Sequence, residues 1–280
     1  MILLSVDTSS TVGALALMKW DENKSHFSFD DLDLLLQEWT LNVSAYHSEK
    51  LLWGIDQLLN AASLKVSDID VYGVGVGPGS FTGLRMGLMT VKTLADVFQK
   101  PIVPISSLAA LSRTMSLWAS SFNKKVISIS VTDAGRGELF YLMGNSNSVK
   151  EVVVMADQDL PGLWKRGVEE GVSSPGELVK KIKKKLKIAE GAFWIINGQA
   201  VTRYPEFFLE LPMEKQIKLD FPFLHQIQGR SLAQMTWEGL QAGVERPSGL
   251  IFPKYMRASH AEIKLKAGLL PPGPSRGSVD

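Results

Sequence analysis

With 280 residues, 45% of them hydrophobic and 21% charged, the chain is long enough to bury a sizeable core and to form two lobes. A formal net charge of +1 provides no global field for nucleic acid, so any RNA contact must be local. The absence of cysteine excludes disulfides, cysteine-ligated zinc, iron–sulfur clusters and thiol catalysis, and fits a cytoplasmic protein.

Residues 1–6 form a short apolar strand with no basic lead-in, and Asp7 ends it, which argues against a signal peptide. No apolar run reaches the length of a membrane span. A polar turn, 7–11, and a second strand, 13–18, complete a hairpin with Asp7, Ser9 and Ser10 at its tip. Residues 21–36 are acidic and irregular, and 37–43 read as a third strand. A helix follows over 47–62, with Leu51, Leu52, Ile55, Leu58, Leu59 and Ala62 on one apolar face.

The stretch 74–87 carries the strongest local signal. A buried strand over 69–76 runs into Gly77, Pro78 and Gly79, and a helix with apolar periodicity covers 84–98. Ser80 and Thr82 are placed to cap it. A strand that turns through glycine into a helix offers free N–H groups at a positive helix end, suited to a phosphate, a carboxylate or a close-packed partner. Three phosphate or nucleophile motifs fail on spacing. Gly83 is followed by Leu84 and Arg85, not Lys-Ser/Thr as in a P-loop. Gly75, Gly77 and Gly79 do not match the dinucleotide fingerprint, and no G-x-S-x-G elbow surrounds Ser80.

Leu84, Leu88, Val91, Ala95 and Phe98 line one face of that helix, while Met86, Met89 and Val97 give a second apolar region. Two apolar sides predict two covered sides. Gly79, Gly83 and Gly87 recur every four residues, leaving a groove into which a second helix can pack. Its occupant is either the chain's own second lobe or a helix of another subunit.

Strand 101–105 and helix 107–118 come next. Strands over 126–131, 138–143 and 151–155, a helix over 177–188, a strand over 193–196 and a helix over 231–244 echo the first half. Two similar α/β lobes with mixed sheets flanked by helices, each opening on a hairpin, indicate an actin-like (ASKHA, ribonuclease-H-like) fold. The N-terminal lobe spans 1–106 and is joined by the helix near 231–244; the C-terminal lobe spans 107–228. Residues 258–280, with Pro271, Pro272 and Pro274, read as a disordered tail.

In the second lobe Asp133 and Arg136 occupy a turn, 133–138, that can orient a phosphate or serve as a plain polar hairpin. Asn197, Gly198 and Gln199 follow a strand and can approach an adenosine. Asp7, Ser9, Asp133 and Gly198 are therefore the candidates for a nucleotide contact. Lys180, Lys181, Lys183, Lys184, Lys185 and Lys187 form a basic run that reads first as a solvated helix face, with no interleaved aromatics for RNA bases. The four histidines, His26, His47, His225 and His260, provide no local metal pair.

The segment GVGPGSFTGLRMG, 75–87, closely resembles the signature of the TsaB (YeaZ) family, non-catalytic relatives of TsaD in the glycoprotease-like (M22-type) superfamily. ILLSVDTSS at 2–10, HSEKLL at 47–52, PIVPISSLAAL at 101–111, DAGRGELF at 133–140 and PKYMR at 253–257 agree with it. The resemblance is convincing across most of 1–140, patchy across 150–230 and returns near 255–257. It implies two actin-like lobes and a scaffold role in N6-threonylcarbamoyladenosine (t6A) modification of tRNAs reading ANN codons. Its implied partners are a TsaD-like transferase, in a heterodimer, and a TsaE-like ATPase; alone, the chain would form a homodimer. It would meet tRNA only through the complex.

The interface residues implied are Leu51, Leu52, Ile55, Leu58, Gly79, Ser80, Phe81, Thr82, Gly83, Leu84, Arg85, Gly87 and Leu88. TsaD-like relatives carry a metal-binding His-x-x-x-His where this chain has Ser107 and Leu111. The resemblance therefore implies no metal, no catalytic residue and no intrinsic cofactor, with ATP or ADP entering only within the complex. Gly135 stands where the family pattern has an arginine, the 21–36 segment is longer than usual, and the tail is extra. The rivals are a peptidase, which would need a nucleophile or metal the motifs do not provide, and an ATP-dependent kinase of the same fold.

Overall fold

The computed structural model describes residues 1–20, 35–42, 48–119, 124–145, 168–189, 191–217 and 222–256. The expected strand at 151–155, the bulk of the 21–36 segment and the tail at 258–280 lie outside the described residues.

The N-terminal hairpin forms as the alternation of apolar and turn residues requires: β1 (Ile2–Asp7) pairs antiparallel with β2 (Val12–Lys19), and β2 with β3 (Leu35–Asn42). On the other side β1 pairs parallel with β4 (Val71–Gly77), and β4 with β5 (Ile102–Ser106). The sheet order is β3-β2-β1-β4-β5. A second sheet, β8-β7-β6-β9, repeats the plan with β6 (Val126–Gly135), β7 (Glu138–Asn145), β8 (Glu169–Ser173) and β9 (Phe193–Asn197). Here too a hairpin comes first, and the crossover strand β9 pairs parallel with β6. This repeated plan is the actin-like, ribonuclease-H-like α/β fold. Strand β8 carries no apolar run and was not legible in the sequence.

Every residue of β4 is buried, and so is β1 after Ile2, because helices cover both faces of the first sheet. Successive side chains alternate between the two faces. Leu4, Val6, Tyr72 and Val74 meet α1 (Ser48–Ala61) and α2 (Phe81–Phe98), through Leu51, Ile55, Leu58, Leu88 and Val91. Leu3, Val71, Val103 and Ile105 meet α3 (Ser107–Ala119) and, across the lobes, Phe140 and Leu142 of β7. In the second lobe, Ile127, Ile129 and Tyr141 pack on Leu178, Val179 and Ile182 of α4 (Pro175–Ile188). Short helices α5 (Gln199–Arg203) and α6 (Pro205–Phe208) follow β9.

Helix α7 (Gly229–Gln241) returns to the first sheet. The Thr236 hydroxyl lies 2.7 Å from the Ser5 hydroxyl, and a Cβ on Gly73 would overlap it. Arg113 of α3 holds Glu238 of α7 through both carboxylate oxygens, at 2.9 and 2.5 Å. The chain then runs back along α2: Ile251 is buried in the first core, Lys92 Nζ donates to its carbonyl at 3.0 Å, and the Lys254 N–H donates to the Val76 carbonyl at 2.7 Å. No helix among the described residues is long and apolar enough to cross a membrane.

Candidate functional site

The glycine turn leaves β4 at Gly77, whose φ of 106° and cis bond to Pro78 turn the chain into α2. Ser80 is the N-cap; its hydroxyl accepts from the Gly83 N–H at 3.3 Å, while Thr82 lies inside the helix.

The groove along Gly79, Gly83 and Gly87 is filled by the tip of the β1–β2 hairpin, not by a second helix. A Cβ on Gly79 would overlap the Ser9 carbonyl, one on Gly83 the Thr8 carbonyl and one on Gly87 the Thr8 hydroxyl. The Ser80 N–H donates to the Ser9 carbonyl at 2.6 Å, and the Thr8 hydroxyl to the Gly83 carbonyl at 2.7 Å. The groove's occupant is thus neither the second lobe nor another subunit: side-chain-free positions let the backbone of the chain's own first hairpin approach.

Behind the tip sits Asp7, fully buried. Its Oδ1 accepts from the Ser9 N–H at 2.8 Å and the Ser9 hydroxyl at 2.6 Å; its Oδ2 accepts from the Ser107 hydroxyl at 2.6 Å. Ser107 in turn accepts from the Gly77 N–H at 3.1 Å. Burial pushes the Asp7 carboxyl above its ordinary range, against the lowering effect of Ser107 and Ser9. Gly75 leaves room for this carboxylate, since a Cβ there would overlap Oδ2.

The four nucleotide candidates separate into two places. Asp7 and Ser9 belong to the hub just described. Asp133 accepts from the Gly135 N–H at 2.9 Å and pairs with Arg203 at 2.6 Å, so the cation beside it comes from α5 rather than from Arg136. Gly198, with φ 109°, abuts the Val131 carbonyl and donates its N–H to His225 Nδ1 at 3.2 Å. Asn197 beside it is fully buried, donating to the Leu111 and Leu224 carbonyls at 2.9 and 2.8 Å. Ser9, Ser107, Thr132, Gln199 and His225 border a narrow recess between the lobes.

The implied interface set divides. Leu51, Ile55, Leu58, Leu84 and Leu88 are buried in the first lobe's own core, and Gly79, Gly83 and Gly87 lie under the hairpin tip. These eight are occupied by the chain itself, because the strongest helical periodicity marks the face turned to the sheet. Leu52, Ser80, Phe81, Thr82 and Arg85 are exposed. So is much of the second apolar side of α2, with Met89 59% and Val97 67% exposed, so the chain by itself covers one of the two apolar sides. Trp53 on α1, 55% exposed and missed, lies elsewhere, its ring 5.9 Å from that of Trp39 on the edge strand β3. Tyr255 joins the α2 surface: its ring is 4.9 Å from Phe81, its hydroxyl accepts from Arg85 Nε at 3.0 Å, and the Arg85 guanidinium lies 3.8 Å over the Phe81 ring. The signal for Tyr255 was its place in the PKYMR motif.

A protein-family model described as "TsaD: tRNA N6-adenosine threonylcarbamoyltransferase" matches residues 41–265. The chain is 27% identical over 197 residues to the tRNA threonylcarbamoyladenosine biosynthesis protein TsaB of Haemophilus influenzae, covering 70% of this chain and 74% of that one. With the TsaB of Escherichia coli it shares 23% identity over 206 residues, covering 74% of each. Among solved structures, YeaZ from Pseudomonas aeruginosa has a TM-score of 0.64 at 20% identity, covering 91% of this chain and 99% of that one, and so shares the fold.

Proposed function

Since the chain belongs to the TsaD family, we propose that it takes part in t6A modification of tRNA as a non-catalytic scaffold subunit that pairs with a TsaD-like transferase. The names of its TsaB relatives support the pathway. The exposed surface of α1 and α2 carries the scaffold reading. Leu52, Trp53, Phe81 and Met89 are large apolar side chains left facing solvent on helices that together cover one face of the first sheet. The mutually contacting Phe81, Arg85 and Tyr255 give the α2 part of this surface the aromatic and arginine composition of an interface centre. Without the transferase the same surface would pair two copies of the chain.

The residues at the metal-holding positions of the transferases support a non-catalytic role. The Ser107 hydroxyl is engaged by Asp7 and Gly77, and Leu111 is buried. Neither replaces a neutral imidazole as a ligand. On this reading nucleotide enters with the complex and a TsaE-like ATPase.

Two measurements test the proposal. In a reconstitution with the transferase and the ATPase, omitting this chain should abolish t6A formation, read by mass spectrometry of digested tRNA. Phe81→Ala with Arg85→Ala should weaken binding to the transferase by about tenfold or more, since interface anchors contribute upwards of ~1.4 kcal/mol. Calorimetry showing wild-type affinity in the double variant would remove α2 from the interface.

A further inference from the structure

The lysine run absorbed by none of the above lies on α4. The helix turns Leu178, Val179 and Ile182 into the second lobe's core and its lysines outward. It carries six lysines and one glutamate in a chain of net charge +1, so the remainder of the chain is net negative by four. The excess of positive over negative charge is therefore concentrated on this helix.

The structure sorts these lysines. Lys181 donates to the Tyr141 hydroxyl at 2.7 Å and faces Glu169 at 3.6 Å; Lys183 pairs with Glu210 at 3.0 Å. Lys185 is half-buried beside Glu169. Lys180, Lys184 and Lys187 remain exposed, without an ion pair among the described residues, and the 4-then-3 spacing puts them in one stripe about 10 Å long. A helix C-terminus favours cations, which accounts for Lys187 but not for Lys180 and Lys184.

Two more lysines stand at the same end of the lobe. Strand β9 begins just beyond α4, and the Phe193 N–H donates to the Lys125 carbonyl at 2.9 Å. Lys124 Nζ lies 4.1 Å over the Phe193 ring, which packs with Met115 on the sheet face opposite α4, so the exposed Lys124 and Lys125 carry the charge around the end of the sheet. This end is opposite the inter-lobe recess, which Asn197 and Gly198 approach from the far end of β9.

We propose that this end of the second lobe docks the phosphate backbone of a folded RNA, with Lys124, Lys125, Lys180, Lys184 and Lys187 as its cations. The choice of RNA among polyanions rests on the tRNA-modifying role proposed above. A membrane surface fits poorly, because an interfacial helix needs an exposed apolar face and that of α4 is committed to the core. A protein partner fits poorly, because interface centres are depleted in lysine. Without interleaved aromatics the surface reads phosphates, not bases, so its binding is independent of sequence.

The test is fluorescence anisotropy with a tRNA transcript titrated by the full chain, alone and with its transferase, at several salt concentrations. A variant carrying Lys→Gln at all five positions should bind about tenfold or more weaker near physiological salt, with the slope of log K against log salt reduced by about 3 to 4. Lys50→Gln with Lys65→Gln on the first lobe should leave that slope unchanged. The exposed positions predict an unaltered thermal midpoint, which keeps a binding loss from being read as misfolding. Wild-type affinity and slope in the five-site variant would overturn the proposal, as would equal lysine-dependent binding to phosphatidylserine vesicles or to an acidic protein. Dispensability of the chain for t6A formation would sink the scaffold role alone, so the two failures read out separately.

Discussion

The two hairpin tips of this molecule occupy equivalent places and are treated differently. Each is followed, after a crossover, by a parallel strand that leaves its sheet through a glycine of positive φ, Gly77 at 106° and Gly198 at 109°. In the first half the tip carries Asp7, fully buried, and lies against an 18-residue helix whose glycines admit it. In the second half the tip carries Asp133, 24% exposed, paired with Arg203 of a five-residue helix. A Cβ on tip residue Gly137 would meet nothing within 4 Å. Burying an acid demands donors on both oxygens and space beside it; the first half supplies both and becomes a closed clamp. The second half also supplies donors to both oxygens, from Gly135 and Arg203, but leaves its acid partly exposed and its tip without a covering helix at Gly137.

Substitutions can break this contrast. The largest effect is expected for Gly83→Ala, which sets a Cβ into the Thr8 carbonyl and should destabilise the fold by about 3 kcal/mol, lowering the thermal midpoint by several degrees. A midpoint equal to wild type would mean that the tip does not seat on α2.

Asp7→Asn sharpens the electrostatic half of the comparison. A carboxyl raised in the folded state binds its proton more tightly there than in the unfolded chain. Its contribution to stability is therefore greatest below the unfolded value of 3.8 and is lost as pH rises through the folded value. The wild type should lose stability across that window and Asp7→Asn should lose less, seen as a smaller difference between urea midpoints at pH 4 and pH 7. Glu170, also raised by burial and held by Lys254 at 2.7 Å, leaves a residual slope of the same sign.

At the second tip the effects shrink. Gly137→Ala meets open space and faces only the positive φ of 75°, a penalty of about 1 kcal/mol. Asp133→Asn removes one partly exposed ion pair and should shift the thermal midpoint by no more than about 2 °C, for a contribution below ~1 kcal/mol. A loss at Asp133 matching that at Gly83 would show that both tips are clamped.

Much of the fold was legible because its signals are local. Strands covered on both faces read as unbroken apolar runs, as at Val71–Gly77, and the Ser80 cap with the four-residue apolar repeat announced α2. The site was less legible. The face of α1 with Leu51, Ile55 and Leu58 was easy to find and is buried; Met89 was legible as part of a second apolar side of α2, whereas the exposed Trp53 breaks no pattern. Ser107 showed only as a missing histidine, since its role depends on Asp7, 100 residues away. Arg203 likewise reaches Asp133 across 70 residues.

The sequence by itself determined the two-lobed α/β plan, the glycine turn and its helix, and the membership signalled by residues 75–87, because periodicity, capping and turn chemistry act over a few neighbouring residues. The glycine repeat also told that something must approach α2 closely. What approaches it was decided only in three dimensions. Thr8 and Ser9 reach Gly83 and Gly79 by the parallel pairing of β1 with β4, and no local pattern encodes a contact made across the 75 residues between Thr8 and Gly83.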